Sequence, residues 1–378
     1  MLMKLLRKIL LIPLLLFLNG CITPFIPRTS EDKKILVVEG LITDQPDTNI
    51  IKLSNSLPLG TRNVANPLKG CIVTISDDLG NTFSFTETAA GIYVTDPSKF
   101  QGVVGRFYTL HINTNAANNN FHYESYPMEM KHAPPIDSLY YEKVVIQENN
   151  GVNTQEGCQV YLNTHDPANQ SKFYRWEYTE TWEFHIPYIF VPNRICWLSN
   201  NSDVINIKNT SVLEEDRVDR YPLNFVSNAT DRLNIKYSIL VNQYSLNEDE
   251  YLYWEKLQNI TQQVGGLYDI IPSIIPSNVY SIDDPNEKVL GYFSVSGRSS
   301  KRLFIKDHFS GMIDLYTRCN SDTIFNGDPI PYLNLTEWVI IEHHIPPPYY
   351  DIITYDKGCA DCSVRGAIIK PDFWNEGR

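Results

Sequence analysis

Phe173-Tyr174-Arg175-Trp176-Glu177-Tyr178-Thr179-Glu180-Thr181-Trp182-Glu183-Phe184-His185-Ile186 has the pattern of a long β-strand. Tyr174, Trp176, Tyr178, Trp182, Phe184 and Ile186 share one parity; Arg175, Glu177, Thr179, Thr181, Glu183 and His185 share the other. Successive side chains of a strand point to opposite faces, so this spacing makes one apolar and one polar face. Only Glu180 interrupts the apolar one. Such alternation belongs to antiparallel sheets. The apolar face is expected in a core. The alternative presents Tyr174, Trp176, Tyr178 and Trp182 as an aromatic surface for a ligand or partner.

Upstream, short strands follow one another without a long helix. Ile35–Ile42 and Asn49–Leu53 are β-branched and apolar, and Cys71, Val73 and Ile75 alternate with Ile72, Thr74 and Ser76. Asp77-Asp78-Leu79-Gly80-Asn81 makes a turn into Thr82–Thr86. Gly91–Val94 and Phe107–Ile112 complete the set. Turn signals at this spacing predict a β-sandwich over residues 35–131, of immunoglobulin-like or carboxypeptidase-regulatory-like form. Pro134-Pro135, within Lys131–Asp137, marks a boundary, because prolines fix an extended link. A larger β-rich domain is expected over 136–378. The fold class is therefore mainly β.

One helix is expected, near 246–264. Ser245 and Glu248 have capping-box spacing, and Tyr253, Leu257, Ile260 and Val264 form a helical stripe ended by Gly265-Gly266. Val289–Val295, Arg302–Ile305 and Trp338–Glu342 return to strand.

The N-terminus carries a different message. Lys4, Arg7 and Lys8 precede an apolar run from Ile9 to Leu18. That run is about half the roughly 20 residues a spanning helix needs. It has the layout of an export signal. Its ending, Leu18-Asn19-Gly20-Cys21, resembles the lipobox of bacterial lipoproteins. Residues 1–20 are thus expected to be cleaved as a signal peptide, leaving lipid on Cys21 and a tether over 21–34. The alternatives are an ordinary cleaved signal and a retained anchor. Losing Lys4, Arg7 and Lys8 with no acid takes the formal charge from -12 to -15. A surface so acidic repels phosphate backbones, so no nucleic-acid partner is expected. Aromatic residues at 12% and hydrophobic residues at 43% suffice for packed cores.

Enzyme signatures are largely missing, and no catalytic residue, metal or cofactor is expected. The chain has no Gly-x-Ser-x-Gly elbow, no His-Glu-x-x-His and no phosphate-cradling Gly-Lys-Ser/Thr loop. Glu342-His343-His344 is the best metal candidate, but adjacent histidines on a strand face opposite ways. Asp283-Asp284-Pro285-Asn286-Glu287 lacks the spacing of a calcium loop and is expected to be a solvated turn. Besides Cys21 there are six cysteines, and spacing alone does not choose among their pairings. Cys359 and Cys362 are expected in a structural disulfide that locks the tail, with Cys196 the partner of one of them. Cys71 is expected as a small buried residue.

Several stretches, in order, resemble the domain-of-unknown-function family 4249. They are Leu36-Val37-Val38-Glu39-Gly40-Leu41-Ile42-Thr43-Asp44, Gly91-Ile92-Tyr93, Pro135–Tyr141, Cys196-Trp197, Tyr251–Leu257, Val289-Leu290-Gly291-Tyr292-Phe293, Cys359-Ala360-Asp361-Cys362 and Pro371-Asp372-Phe373-Trp374. The resemblance implies an exported, outer-membrane lipoprotein of Bacteroidota working beside a TonB-dependent transporter. It supplies no catalytic residues. The expected function is that of a binding or accessory subunit, held to the membrane through Cys21, with an unknown ligand. A structural or adhesive envelope lipoprotein without a small ligand is the alternative, and an extracytoplasmic hydrolase with paired carboxylates ranks third.

Overall fold

The computed structural model describes residues 34–57, 66–116, 119–147, 154–262, 275–312, 319–325, 339–345 and 347–375. The signal peptide, Cys21, the tether up to residue 33, Val264, Gly265, Gly266 and Trp338 lie outside the described residues.

Two sheets make a first sandwich. One runs Val289–Ser296, Leu36–Thr43, Ile50–Asn55, Ile92–Val94, Thr86–Ala89, with Asn66–Pro67 on Ile50–Asn55. The other runs Val279–Ser281, Asn119–Ser125, Phe107–Ala116, Ile72–Asp77, Thr82–Ser84, with Met128–Glu129 on Phe107–Ala116. Val38, Ile51, Leu53 and Phe293 of the first share one core with Val73, Ile75, Leu110 and Ile112 of the second. The period-2 pattern is the cause: each strand sends alternate residues into the same apolar layer.

A second pair of sheets follows. Ile136–Gln147, Thr154–His165 and Arg217–Ser227 form one. Ile195–Asn201, Phe173–His185, Lys236–Ser245 and Arg298–Ile305 form the other, with Asn206–Asn209 on Phe173–His185. A small C-terminal sheet joins Ser321–Phe325, Tyr350–Thr354 and Val339–His344.

The aromatic face of Phe173–His185 is the centre of the second core. Tyr174 and Trp176 are 0% exposed, Trp182 3% and Tyr178 5%, packed with Cys158, Val160, Leu162, Ile239 and Val241. The face lies in a core, as expected, and not at the surface that was the alternative: the opposing sheet covers these rings. Trp176 Nε1 donates to Gln243 Oε1 at 2.8 Å, and Tyr174 OH donates to Asp216 Oδ2 at 2.7 Å. Glu180, the interruption, is buried but satisfied. It accepts from Tyr237 OH at 2.5 Å and Asn224 Nδ2 at 3.0 Å, and Arg232 Nη1 lies 3.4 Å from its other oxygen. A carboxylate in a core is tolerable only with such partners.

The first sandwich reaches beyond residue 131. Two of its strands, Val279–Ser281 and Val289–Ser296, come from beyond most of the second sandwich, after its strand Lys236–Ser245. Leu36–Thr43 pairs parallel with Val289–Ser296 in unbroken register, Leu36 with Val289 through Thr43 with Ser296. Parity alone misses this, since pairing partners are not encoded in period. One glycine, Gly297, then separates Ser296 from Arg298, where the chain enters the second sandwich. Gly297 N donates to Lys131 O at 2.9 Å, and an added Cβ would sit 2.5 Å from that oxygen. Two of the three crossings between the sandwiches therefore lie against each other.

The helix spans Glu248–Gln262. Ser245 ends the preceding strand, and its buried hydroxyl has no partner, so the expected capping box does not form. Three acids in the first turn, Glu248, Asp249 and Glu250, suit the helix dipole. Cys196 bonds Cys362 and Cys319 bonds Cys359. Both cysteines of the Cys-x-x-Cys pair are thus used, each with a distant partner. With separations of 166 and 40 residues, the chain-entropy model assigns them about 5 and about 4 kcal/mol. Cys71 is free and half-buried; Cys158 is free and buried.

Gly291 has φ +85, and a Cβ there would overlap the Val38 carbonyl of the parallel partner. Gly70 has φ +71 with open space around it. Gly291→Ala is expected to cost about 2–5 kcal/mol, from left-handed strain plus overlap. Gly70→Ala is expected to cost about 1–2 kcal/mol, from strain alone. Urea unfolding of both variants checks this; equal losses would contradict it.

Candidate functional site

The helix Glu248–Gln262 wedges between the two sandwiches. Tyr251 packs with Phe173, Ile207, Tyr244 and Leu246 of the second, joined by Trp254 and by Leu41 of the first. Tyr253 faces the other way, its ring 4.7 Å from that of Tyr292. Helical spacing explains the split: residues 250, 251, 254 and 258 lie along one side, 253 on another. Gln258 Nε2 ties that side down by donating to Ile205 O at 2.6 Å.

Beside the helix a cleft of ≈ 720 Å³ opens between the sandwiches. Glu39, Lys52 and Gly291 line it from the first, Arg175, Glu177 and Asn201 from the second, and Trp254 from the helix. A cleft of that size at a junction of two units is the usual setting for a ligand site.

Arg175 gives the cleft its chemistry. It is 5% exposed, although it belongs to the polar parity of its strand, because the helix covers that end. Its guanidinium carbon lies 4.1 Å from the Trp254 ring centre and 5.2 Å from that of Tyr244. Nη2 lies 2.9 Å from Glu177 Oε1, and buried Nε has no hydrogen-bond partner. Glu250 sits fully buried in the same region. Its Oε1 accepts from Trp254 Nε1 at 3.3 Å, while Oε2 has no partner. Burial pushes the Glu250 carboxyl up, against the opposing pull of Arg175, the nearby Ser294 hydroxyl and the Trp254 indole. The arrangement offers aromatic faces for stacking and a half-paired, desolvated cation that favours an acceptor or anionic group.

The residues singled out from sequence go elsewhere. Tyr174, Trp176, Tyr178 and Trp182 are core, and Cys196, Cys359 and Cys362 are in disulfides. His343 Nδ1 lies 2.6 Å from Asp351 Oδ1, while His344 stacks on Tyr350 at 4.3 Å. Among the described residues no three metal-ligating side chains converge. Asp283 accepts from His122 N at 2.6 Å and Glu287 from Tyr123 OH at 3.0 Å, so that acidic turn fastens the returning chain to the first sandwich. Arg175 and Glu250 were missed. Their one signal was Glu250, which precedes Trp254 by one helical turn and so shares its buried side.

A family model described as Domain of unknown function (DUF4249) matches residues 22–302. No curated protein gives a significant match. The matched region contains every residue named in the cleft, and Cys319, Cys359 and Cys362 lie beyond it.

A carboxyl whose pKa is raised by folding holds its proton more tightly in the folded chain. Stability then falls as pH rises from the ordinary glutamate value toward the folded one. Glu250→Gln removes that loss. The variant is expected to gain stability relative to the native chain as pH rises above about 4.5, and to show no gain below. Urea unfolding across pH measures it; a difference independent of pH would contradict it.

Proposed function

Because the chain belongs to the DUF4249 family, we propose that it is an exported, lipid-anchored binding subunit working beside a TonB-dependent outer-membrane transporter. The observation that carries this is positional. The family match begins at residue 22, directly after Cys21, the residue that ends the basic, apolar, lipobox-like segment. Cys21 would hold the lipid, and a lipidated terminal cysteine with more than one acyl chain anchors stably. The binding role rests on the cleft, where aromatic rings flank a desolvated guanidinium. An acidic chain favours neither nucleic acid nor an anionic bilayer as a partner surface.

Tagged full-length protein, purified from native membranes in mild detergent, is expected to bring down a channel protein in stoichiometric amount, identified by mass spectrometry. Cys21→Ser is expected to move the protein from the membrane to the soluble fraction. Recovery of this chain alone would overturn the accessory role and leave a structural or adhesive one. An unchanged membrane fraction for Cys21→Ser would overturn lipid anchoring.

A further inference from the structure

The outer face of the first sandwich carries a hydrogen-bonded row remote from the cleft-lining residues. On Ile72–Asp77, Val73 and Ile75 are buried, so Thr74 and Ser76 point outward. On Phe107–Ala116, Leu110 and Ile112 are buried and His111 points outward. On Asn119–Ser125, Tyr123 and Ser125 are buried and Glu124 points outward. His111 stands opposite Thr74 on one side and Glu124 on the other. Ser76 is therefore its diagonal neighbour, within reach of an imidazole. Ser76 Oγ lies 2.7 Å from His111 Nε2, and His111 Nδ1 lies 2.8 Å from Glu124 Oε1. Tyr280 OH donates to the second carboxylate oxygen, Glu124 Oε2, at 3.2 Å.

This connectivity is hydroxyl, imidazole, carboxylate, each on its own strand. His122, His165, His185 and His343 also pair with carboxylates. Among the described histidines, only His111 has a serine hydroxyl on the nitrogen opposite its carboxylate. A carboxylate at Nδ1 favours the tautomer protonated there, which leaves Nε2 free to accept the Ser76 proton.

We propose that Ser76, His111 and Glu124 form an acyl-transfer site acting on carboxylic esters, independent of the cleft. Ser76 Oγ attacks the ester carbonyl carbon while its proton passes to His111 Nε2. Collapse of the tetrahedral intermediate breaks the bond to the alkoxy oxygen. His111 returns the proton to that oxygen, and an alcohol leaves. Water, deprotonated by the same nitrogen, then attacks the acyl-serine, releases the carboxylic acid and restores Ser76. Glu124 orients the imidazolium through Nδ1. Thr82 and Thr109 flank Ser76 in register, placing hydroxyl groups beside the reacting carbonyl. Ile72 and Phe107, both exposed, share the outward parity of their strands and offer apolar contact to an acyl chain. Ser76 sits on a strand paired on both sides, not on a turn of free N–H groups. Oxyanion stabilisation is therefore weak, turnover is slow, and covalent labelling is the sharpest readout.

The intact protein is treated with a fluorophosphonate, whose fluoride leaves as the serine–phosphorus bond forms, and adducts are mapped by mass spectrometry. Ser76 is expected to carry the adduct. His111→Ala is expected to lower labelling by about 100-fold or more, the usual worth of a general base. Glu124→Gln is expected to lower it less, and His165→Ala, a paired histidine without the hydroxyl, not at all. All these side chains are partly exposed, and a melting curve of each variant verifies its fold. An unlabelled Ser76, or labelling unchanged in His111→Ala, overturns the proposal.

Discussion

The parallel pairing of Leu36–Thr43 with Val289–Ser296 is the constraint on which the rest of the molecule depends. Parallel neighbours need a crossover, and here residues 44–288 provide it. Closing so long a loop costs about 5 kcal/mol in the ideal-chain estimate. The return is a continuous eight-residue register with Phe293 and Val295 fully buried beneath it. Gly291 permits the close approach, since any side chain there would meet the Val38 carbonyl. All of the second sandwich except Arg298–Ile305 is thus built inside a connection of the first. The chain then leaves through Gly297, pressed on Lys131, and adds Arg298–Ile305 to the second sandwich. Two units that look sequential are tied by strands running in both directions.

The cleft follows from that constraint. One wall is the same parallel pair, represented by Glu39, Gly291 and Ser294. The other is the polar face of Phe173–His185, where Arg175 and Glu177 stand. The helix fills one end, with Tyr251 and Trp254 on one sandwich and Tyr253 on the other. Arg175 and Glu250 remain incompletely hydrogen-bonded at this seam. Buried polar atoms without partners are costly in a finished core and are tolerated where a site needs them.

Much of the fold was legible because it is local. Parity along Phe173–Ile186 marked both a strand and its buried face, and the helix was recognisable from its stripe. What failed was non-local. Alternation at Tyr174, Trp176, Tyr178 and Trp182 shows which residues share a face but not what covers it, so the core expectation, which holds, could not by itself dismiss the surface alternative. Ser245 had capping spacing, yet the preceding strand claimed it. The sandwich boundary at 131 followed from Pro134 and Pro135, whereas Val289–Ser296 joins from far downstream. Of the site residues, Arg175 looked like solvent-facing polar parity because nothing local announces that a helix lies over it. Ser76 and His111 stand on strands that the pattern marked, the strand carrying Glu124 was not read, and only register brings the three together.

Hydrogen exchange of the intact chain in increasing urea, read by mass spectrometry, tests the interlocking most directly. Leu36–Thr43, Val289–Ser296 and Arg298–Ile305 are expected to lose protection together, as one cooperative unit. Exchange of Val289–Ser296 at a urea concentration where Arg298–Ile305 is still fully protected would contradict the account, since the two sandwiches would then open independently.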